Sequence, residues 1–123
     1  MIKTKIKIDV YGTYLLFIVT DDLYDAVVKN VKHAKDEEYW TEEYAKTLHG
    51  VTLTSDAPPY TVVIKSDSLT YNTIVHELFH VSRTLAARIN ITEDEPVAWL
   101  IGYLSERIYD YGAISNAPAN EDR

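Results

Sequence analysis

Two histidines and a glutamate lie close together in the segment TIVHELFHVSRTL, residues 73 to 85. His76 and His80 are four positions apart, and Glu77 directly follows the first of them. Residues four apart on a helix lie one turn above each other, so both imidazoles would face the same point and could each give one nitrogen to a zinc ion. Glu77 lies about 100° around the helix axis from His76, where it can reach a water at that metal as a general base. The spacing therefore predicts a zinc site with a base beside it.

The same segment also has the pattern of an ordinary amphipathic helix, and its five-residue motif recurs by chance. Its apolar residues would make a buried face without any metal: Val75, Leu78, Phe79, Val81, Leu85, Ala86 and Ile89. A plain α+β domain with incidental histidines therefore stays open at this point.

A catalytic zinc site of this kind takes a third protein ligand and leaves the fourth position for water. Glu95 is well placed for that role if the motif helix and the next helix form an antiparallel hairpin. Thr92 and Glu95 also match a capping box, but Pro96 disfavours helical geometry in the residue before it. We expect Glu95 to be the third ligand, with Glu93 as the next candidate.

Composition limits the classes of protein to which this chain can belong. It has 123 residues, no cysteine and a formal net charge of -7. Without cysteine there is no thiol nucleophile, and any transition metal must be held by His, Asp and Glu. The negative charge disfavours nucleic acid, no apolar run approaches the ~20 residues of a membrane-spanning helix, and no conventional secretion signal is recognisable. We expect one soluble domain over residues 1–112 without nucleic-acid or membrane partners, and a flexible tail over residues 113–123.

The first half of the chain predicts a hairpin and a helix. MIKTKIKIDV alternates between apolar and polar residues, and TYLLFIVT is mostly apolar, as expected of two paired strands. Asp21 or Asp22 can cap the helix DDLYDAVVKNVKHA, at whose end we expect His33 to be a surface residue. The segment that follows, residues 36–44, stays ambiguous between helix and strand.

The second half predicts two strands followed by the two helices of the site. Strands are expected near residues 45–54, with Gly50 at a bulge or turn, and near residues 60–66. Ser66, Asp67 and Ser68 can then cap the motif helix, expected over about 69–89, and the following helix is expected over about 94–110. The fold class is α+β, with a small, mostly antiparallel sheet packed on helices.

These residues carry a family resemblance. HELFH followed by EPVAWLIGYL resembles the gluzincin pattern of the zincin-like metallopeptidases, and especially small metallopeptidase-like proteins encoded by tailed bacteriophages. In those proteins the metal helix is followed by Glu-x-x-Ala-aromatic-Leu-x-Gly, matched here by Glu95, Ala98, Trp99, Leu100 and Gly102. The resemblance covers residues 60 to 111 well and implies a zincin-like fold. Trp99 itself is expected to be a core residue and not a platform for substrate.

The resemblance implies a zinc-dependent metallopeptidase that acts on a peptide or protein substrate. Zinc held by the two histidines and Glu95 would lower the pKa of its water from ~15.7 towards ~7. Glu77 would take the proton and deliver it to the leaving amine. The substrate would add as an extra strand to YTVVIKS, and Tyr103 and His49 are candidates for secondary roles such as stabilising the oxyanion.

In a second interpretation the protein binds the metal but has no catalytic activity. At 123 residues the chain is short for a peptidase with a full substrate cleft. The alternative is a non-catalytic, metal-stabilised zincin-like protein that serves as a binding module or is associated with the phage virion. The expected location is the host cytoplasm or the virion, and a protein partner or a homo-oligomer is compatible with either interpretation.

Overall fold

A four-stranded sheet and four α-helices make up the protein, whose computed structural model describes residues 2–31, 34–54 and 58–110. The strands are β1 (Ile2–Ile8), β2 (Thr13–Thr20), β3 (Gly50–Leu53) and β4 (Tyr60–Lys65). The α-helices are α1 (Leu23–Asn30), α2 (Glu42–Lys46), α3 (Tyr71–Arg88) and α4 (Asp94–Asp110), with single 3-10 turns at Asp9–Tyr11, Ala34–Asp36 and Ser66–Ser68. His33 and the expected tail, residues 113–123, lie outside the described residues. No helix within those residues is both long and apolar enough to cross a bilayer.

The sheet has the strand order β1-β2-β4-β3 and is mixed. β1 and β2 form the predicted antiparallel hairpin, β2 and β4 are parallel, and β4 and β3 are antiparallel. Gly12 closes the hairpin with a φ of 64°, a left-handed conformation that glycine adopts without steric cost. The α+β class and the hairpin are therefore confirmed.

The predicted strand near residues 45–54 is wrong at its start, because Ala45 and Lys46 belong to α2. Thr41 caps this helix by accepting a hydrogen bond from the backbone N–H of Tyr44. The strand begins only at Gly50, which pairs regularly with a residue of β4 instead of forming a bulge. Of the ambiguous segment, residues 42–44 are in α2, where a cap and two acidic residues at the helix start outweighed the aromatic content.

The sheet separates two apolar clusters. One face packs on α3 and α4, and its buried strand residues include Ile6, Ile8, Leu15, Phe17, Val62 and Ile64. The opposite face packs on α1 and α2, with Ile18, Val63, Leu23, Val27 and Trp40 among its buried residues. Side chains of opposite faces alternate along β2 and β4, which is the period-two pattern of strands buried on both sides.

The helices α3 and α4 agree with the predicted bounds to within two residues, but part of their predicted core is wrong. Leu78, Val81, Leu85 and Ala86 are buried as expected. The correction concerns four large apolar residues that are exposed instead: Val75, Phe79, Ile89 and Trp99. The buried ridge of α3 starts at Ile74 and continues through Leu78, whereas Val75 and Phe79 lie on the other side of the helix and point to solvent.

Candidate metal centre

The helix α3 holds the two motif histidines near its middle. Its N-cap is Thr70, whose side chain accepts a hydrogen bond from the backbone N–H of Thr73. The residues expected to cap it form the 3-10 turn Ser66–Ser68 instead. Because the helix begins at Tyr71, His76 and His80 occupy consecutive regular turns, far from either frayed end.

The two imidazoles converge as the spacing predicts. Nε2 of His76 lies 3.4 Å from Nε2 of His80, and the ring planes are inclined at 80°. Both residues are exposed. The pair is therefore open to a ligand from solvent.

The distance between the two nitrogens tests whether the pair fits a metal. Two nitrogens that each lie at about 2.05 Å from a tetrahedral zinc ion are separated by about 3.3 Å. The observed 3.4 Å agrees with that separation. It exceeds the roughly 2.7–3.2 Å that is usual for a hydrogen bond donated by nitrogen. The geometry of the pair therefore fits two ligands of one ion better than it fits a direct hydrogen bond between the rings.

Glu77 lies beside the pair and is almost buried. Its Oε2 is 3.9 Å from Nε2 of His76, and the exposed fractions of the Glu77 and His76 side chains are 9% and 66%. Its other oxygen, Oε1, accepts a hydrogen bond of 2.7 Å from the Thr52 hydroxyl. One carboxylate oxygen is thus held by the sheet, and the other remains on the side of the histidines.

The free sheet edge next to Glu77 belongs to β3. Gly50 packs so closely there that an added Cβ would lie 2.8 Å from Cδ1 of Ile64 and 3.5 Å from Cγ of Glu77. The expectation that a peptide adds to YTVVIKS is wrong, because β4 already pairs with β2 on one side and β3 on the other. An added strand beside α3 would pair with Gly50–Leu53.

A cavity of about 300 Å³ opens beside the histidine and the glutamate, and it brings His49 into the site. Its lining consists of Leu48, His49, Gly50, Asn72, Thr73, His76 and Glu77. Nδ1 of His49 lies 2.9 Å from the Ser68 hydroxyl, which donates to Asp67 at 3.1 Å. Because the hydroxyl donates its one proton in the hydrogen bond to Asp67, it accepts from His49, which places a proton on Nδ1 of His49.

Glu95 lies exposed on the first turn of α4. Its side chain has no hydrogen bond or ion pair with any described residue. The capping box does not form, since the Thr92 hydroxyl contacts Glu93 at 3.5 Å. Over residues 2–31, 34–54 and 58–110, no three His, Asp or Glu residues are grouped as a ligand set. The structure therefore brings two imidazole nitrogens together, and a zinc site with Glu95 as the third ligand stays a prediction.

No known protein family, curated protein or solved structure matches this chain. The likeness to zincin-like metallopeptidases accordingly depends on the quoted residues and on the geometry of the site. Arg83 and Asp94 form an exposed ion pair of 3.3 Å between α3 and the start of α4, in the turn that follows His80. The acidic start of α4 thus lies near the helix that carries the histidines.

Tyr103, the other candidate for a secondary role, does not line this cavity. Its hydroxyl donates a hydrogen bond of 3.1 Å to the backbone oxygen of Lys7, and its ring stacks on Trp99 at 5.3 Å between centroids. These contacts join α4 to β1 and indicate a packing role.

Three polar residues of the site were not identified from the sequence. Asn72 and Thr73 precede His76 by four and three positions on the same helix, so helical spacing could have found them. Thr52 had no such signal, because it reaches Glu77 only through the packing of β3 against α3.

Proposed function

We propose that this protein is a zinc-dependent metallopeptidase of the zincin-like type. In this proposal His76, His80 and Glu95 hold the zinc ion and Glu77 is the general base. The observation that supports it most is the 3.4 Å separation of the two Nε2 atoms, which suits two ligands of one zinc ion. The near burial of a glutamate beside that pair adds to it.

In the proposed peptide hydrolysis, each group of the site has a separate role. Zinc would supply a water whose pKa falls towards ~7 and would polarise the carbonyl of the substrate. Glu77 accepts the proton of that water at Oε2 and donates it to the leaving amine. His49 lines the same cavity and, since its Nδ1–H is donated to Ser68, would stabilise the oxyanion as an imidazolium that also carries a proton on Nε2. The free edge of β3 offers backbone hydrogen bonds to an extended peptide.

The substitution Glu77→Gln tests the proposed base. We expect the variant to bind zinc as the parent protein does, because no ligand changes, and to lose at least about 100-fold in turnover of a mixed peptide library. Glu106→Gln, an exposed change on α4, is the matched control and should cleave at the parent rate. A Glu77→Gln protein that cleaves as fast as the parent would contradict the assignment.

The size of the cavity favours a second candidate, a metal-stabilised binding module without turnover. About 300 Å³ accommodates one side chain, which is less than an extended peptide needs. This candidate predicts stoichiometric zinc, no cleavage by the parent protein and a fall in melting temperature on chelation, since the free energy of metal binding adds to that of folding. A melting curve unchanged by chelator would count against it.

A further inference from the structure

Thr52 contacts the proposed base through its hydroxyl. The hydroxyl lies 2.7 Å from Oε1 of Glu77 and 3.1 Å from the backbone oxygen of the same residue. A threonine hydroxyl has a single proton to donate. The shorter distance and the negative charge of the carboxylate both favour donation to Oε1.

The position of Thr52 in the fold connects the edge strand of the sheet to Glu77. Thr52 lies in β3, the edge strand that is free to pair with a peptide. The strand also lies close to the glutamate at Gly50, where an added Cβ would be 3.5 Å from Cγ of Glu77. A single hydroxyl thus joins the strand that would bind substrate to the carboxylate that would move the proton.

We infer that Thr52 is the positioning residue of Glu77, an inference that rests on the proposed function. By holding Oε1, Thr52 keeps the carboxylate from rotating and leaves Oε2 on the side of His76. Pairing of a peptide with Gly50–Leu53 would order the same strand, so substrate binding would also tighten the position of the base. Catalytic groups lose much of their effect when they are displaced by as little as about 1 Å.

Two variants of Thr52 distinguish the effect of its hydroxyl group from the effect of its side-chain volume. Thr52→Val keeps the volume and removes the donor, whereas Thr52→Ser keeps the donor. Thr4→Val is the matched control, because Thr4 is also half-buried on an edge strand, β1, and lies away from the site. Melting curves of all three variants establish that they fold like the parent.

The first measurement needs no activity. In metal-free protein labelled with ¹³C in the glutamate carboxyl groups, the Glu77 signal is assigned by its loss in Glu77→Gln. We expect Thr52→Val to shift this signal, and Thr52→Ser and Thr4→Val to leave it at the parent position. A Glu77 signal that is unchanged in Thr52→Val would overturn the inference.

The second measurement is turnover of a cleaved peptide by the zinc-loaded protein. We expect kcat of Thr52→Val to fall about 10- to 100-fold with zinc affinity unchanged, and Thr52→Ser to recover most of it. A variant that raises KM at constant kcat would show that Thr52 only binds substrate and would overturn the positioning role. If the parent cleaves nothing, the proposed function fails, and the carboxyl signal alone still decides the role of Thr52.

Discussion

Single residues of the site are fixed to different degrees by their neighbours. Glu77 is almost buried and accepts a hydrogen bond from Thr52, whereas the His76 side chain is 66% exposed. The histidine pair owes its geometry to helical periodicity, which the sequence displays directly, and so its convergence could be predicted. Thr52 lies 25 positions before Glu77 in the chain, and only the packing of a strand on a helix brings the two together.

The third ligand gives a prediction at the scale of one residue. Glu95→Gln removes a negative oxygen ligand and should weaken zinc binding by more than the roughly 10- to 100-fold that changes in outer-shell partners cost. Glu93→Gln is the control two positions earlier and should bind zinc like the parent. Isothermal titration calorimetry of the metal-free proteins with zinc measures the zinc affinity of both variants. Equal affinities for Glu95→Gln and the parent would remove Glu95 from the ligand set.

The elements of the fold depend on contacts of different range, and this decided which of them could be predicted. The hairpin, α3 and α4 follow from periodicity and from local start signals. α2 was missed because Thr41 and the acidic first turn are a short signal among aromatic residues. Trp99 was expected in the core because it is large and apolar, but it lies on the outer side of α4 and stacks on Tyr103.

The close packing of β3 against β4 gives a prediction at the scale of elements. Gly50→Ala places a Cβ 2.8 Å from Cδ1 of Ile64 and 3.1 Å from the backbone oxygen of Val63. We expect a loss of about 1–3 kcal/mol in the free energy of unfolding, because β3 must move away from its neighbours. Denaturant unfolding measures this loss.

The helical Gly102 is the matched control for this substitution. A Cβ there meets nothing within 4 Å, so Gly102→Ala should raise the free energy of unfolding by about 0.5–1 kcal/mol through its higher helix propensity. Equal effects of the two substitutions would show that β3 does not pack as closely against β4 as described.

At the scale of the whole molecule, the sheet separates the helices that carry the site from those that do not. α3 and α4 pack on one face and α1 and α2 on the other. His76, Glu77 and His49 line the cavity where α3 meets β3, so the site belongs to one layer and one edge of the sheet. The α+β class could be predicted from the order of the elements, whereas the parallel pairing of β2 with β4 depends on a crossover that no local pattern specifies.

The central claim is that the imidazoles of His76 and His80 bind one zinc ion. Elemental analysis of protein purified without added metal tests it most directly, with the double variant His76→Ala, His80→Ala as the control. We expect about one zinc ion per chain in the parent and none in the variant. A parent protein that contains no zinc and takes up none on titration, or a double variant that retains the metal, would contradict the account.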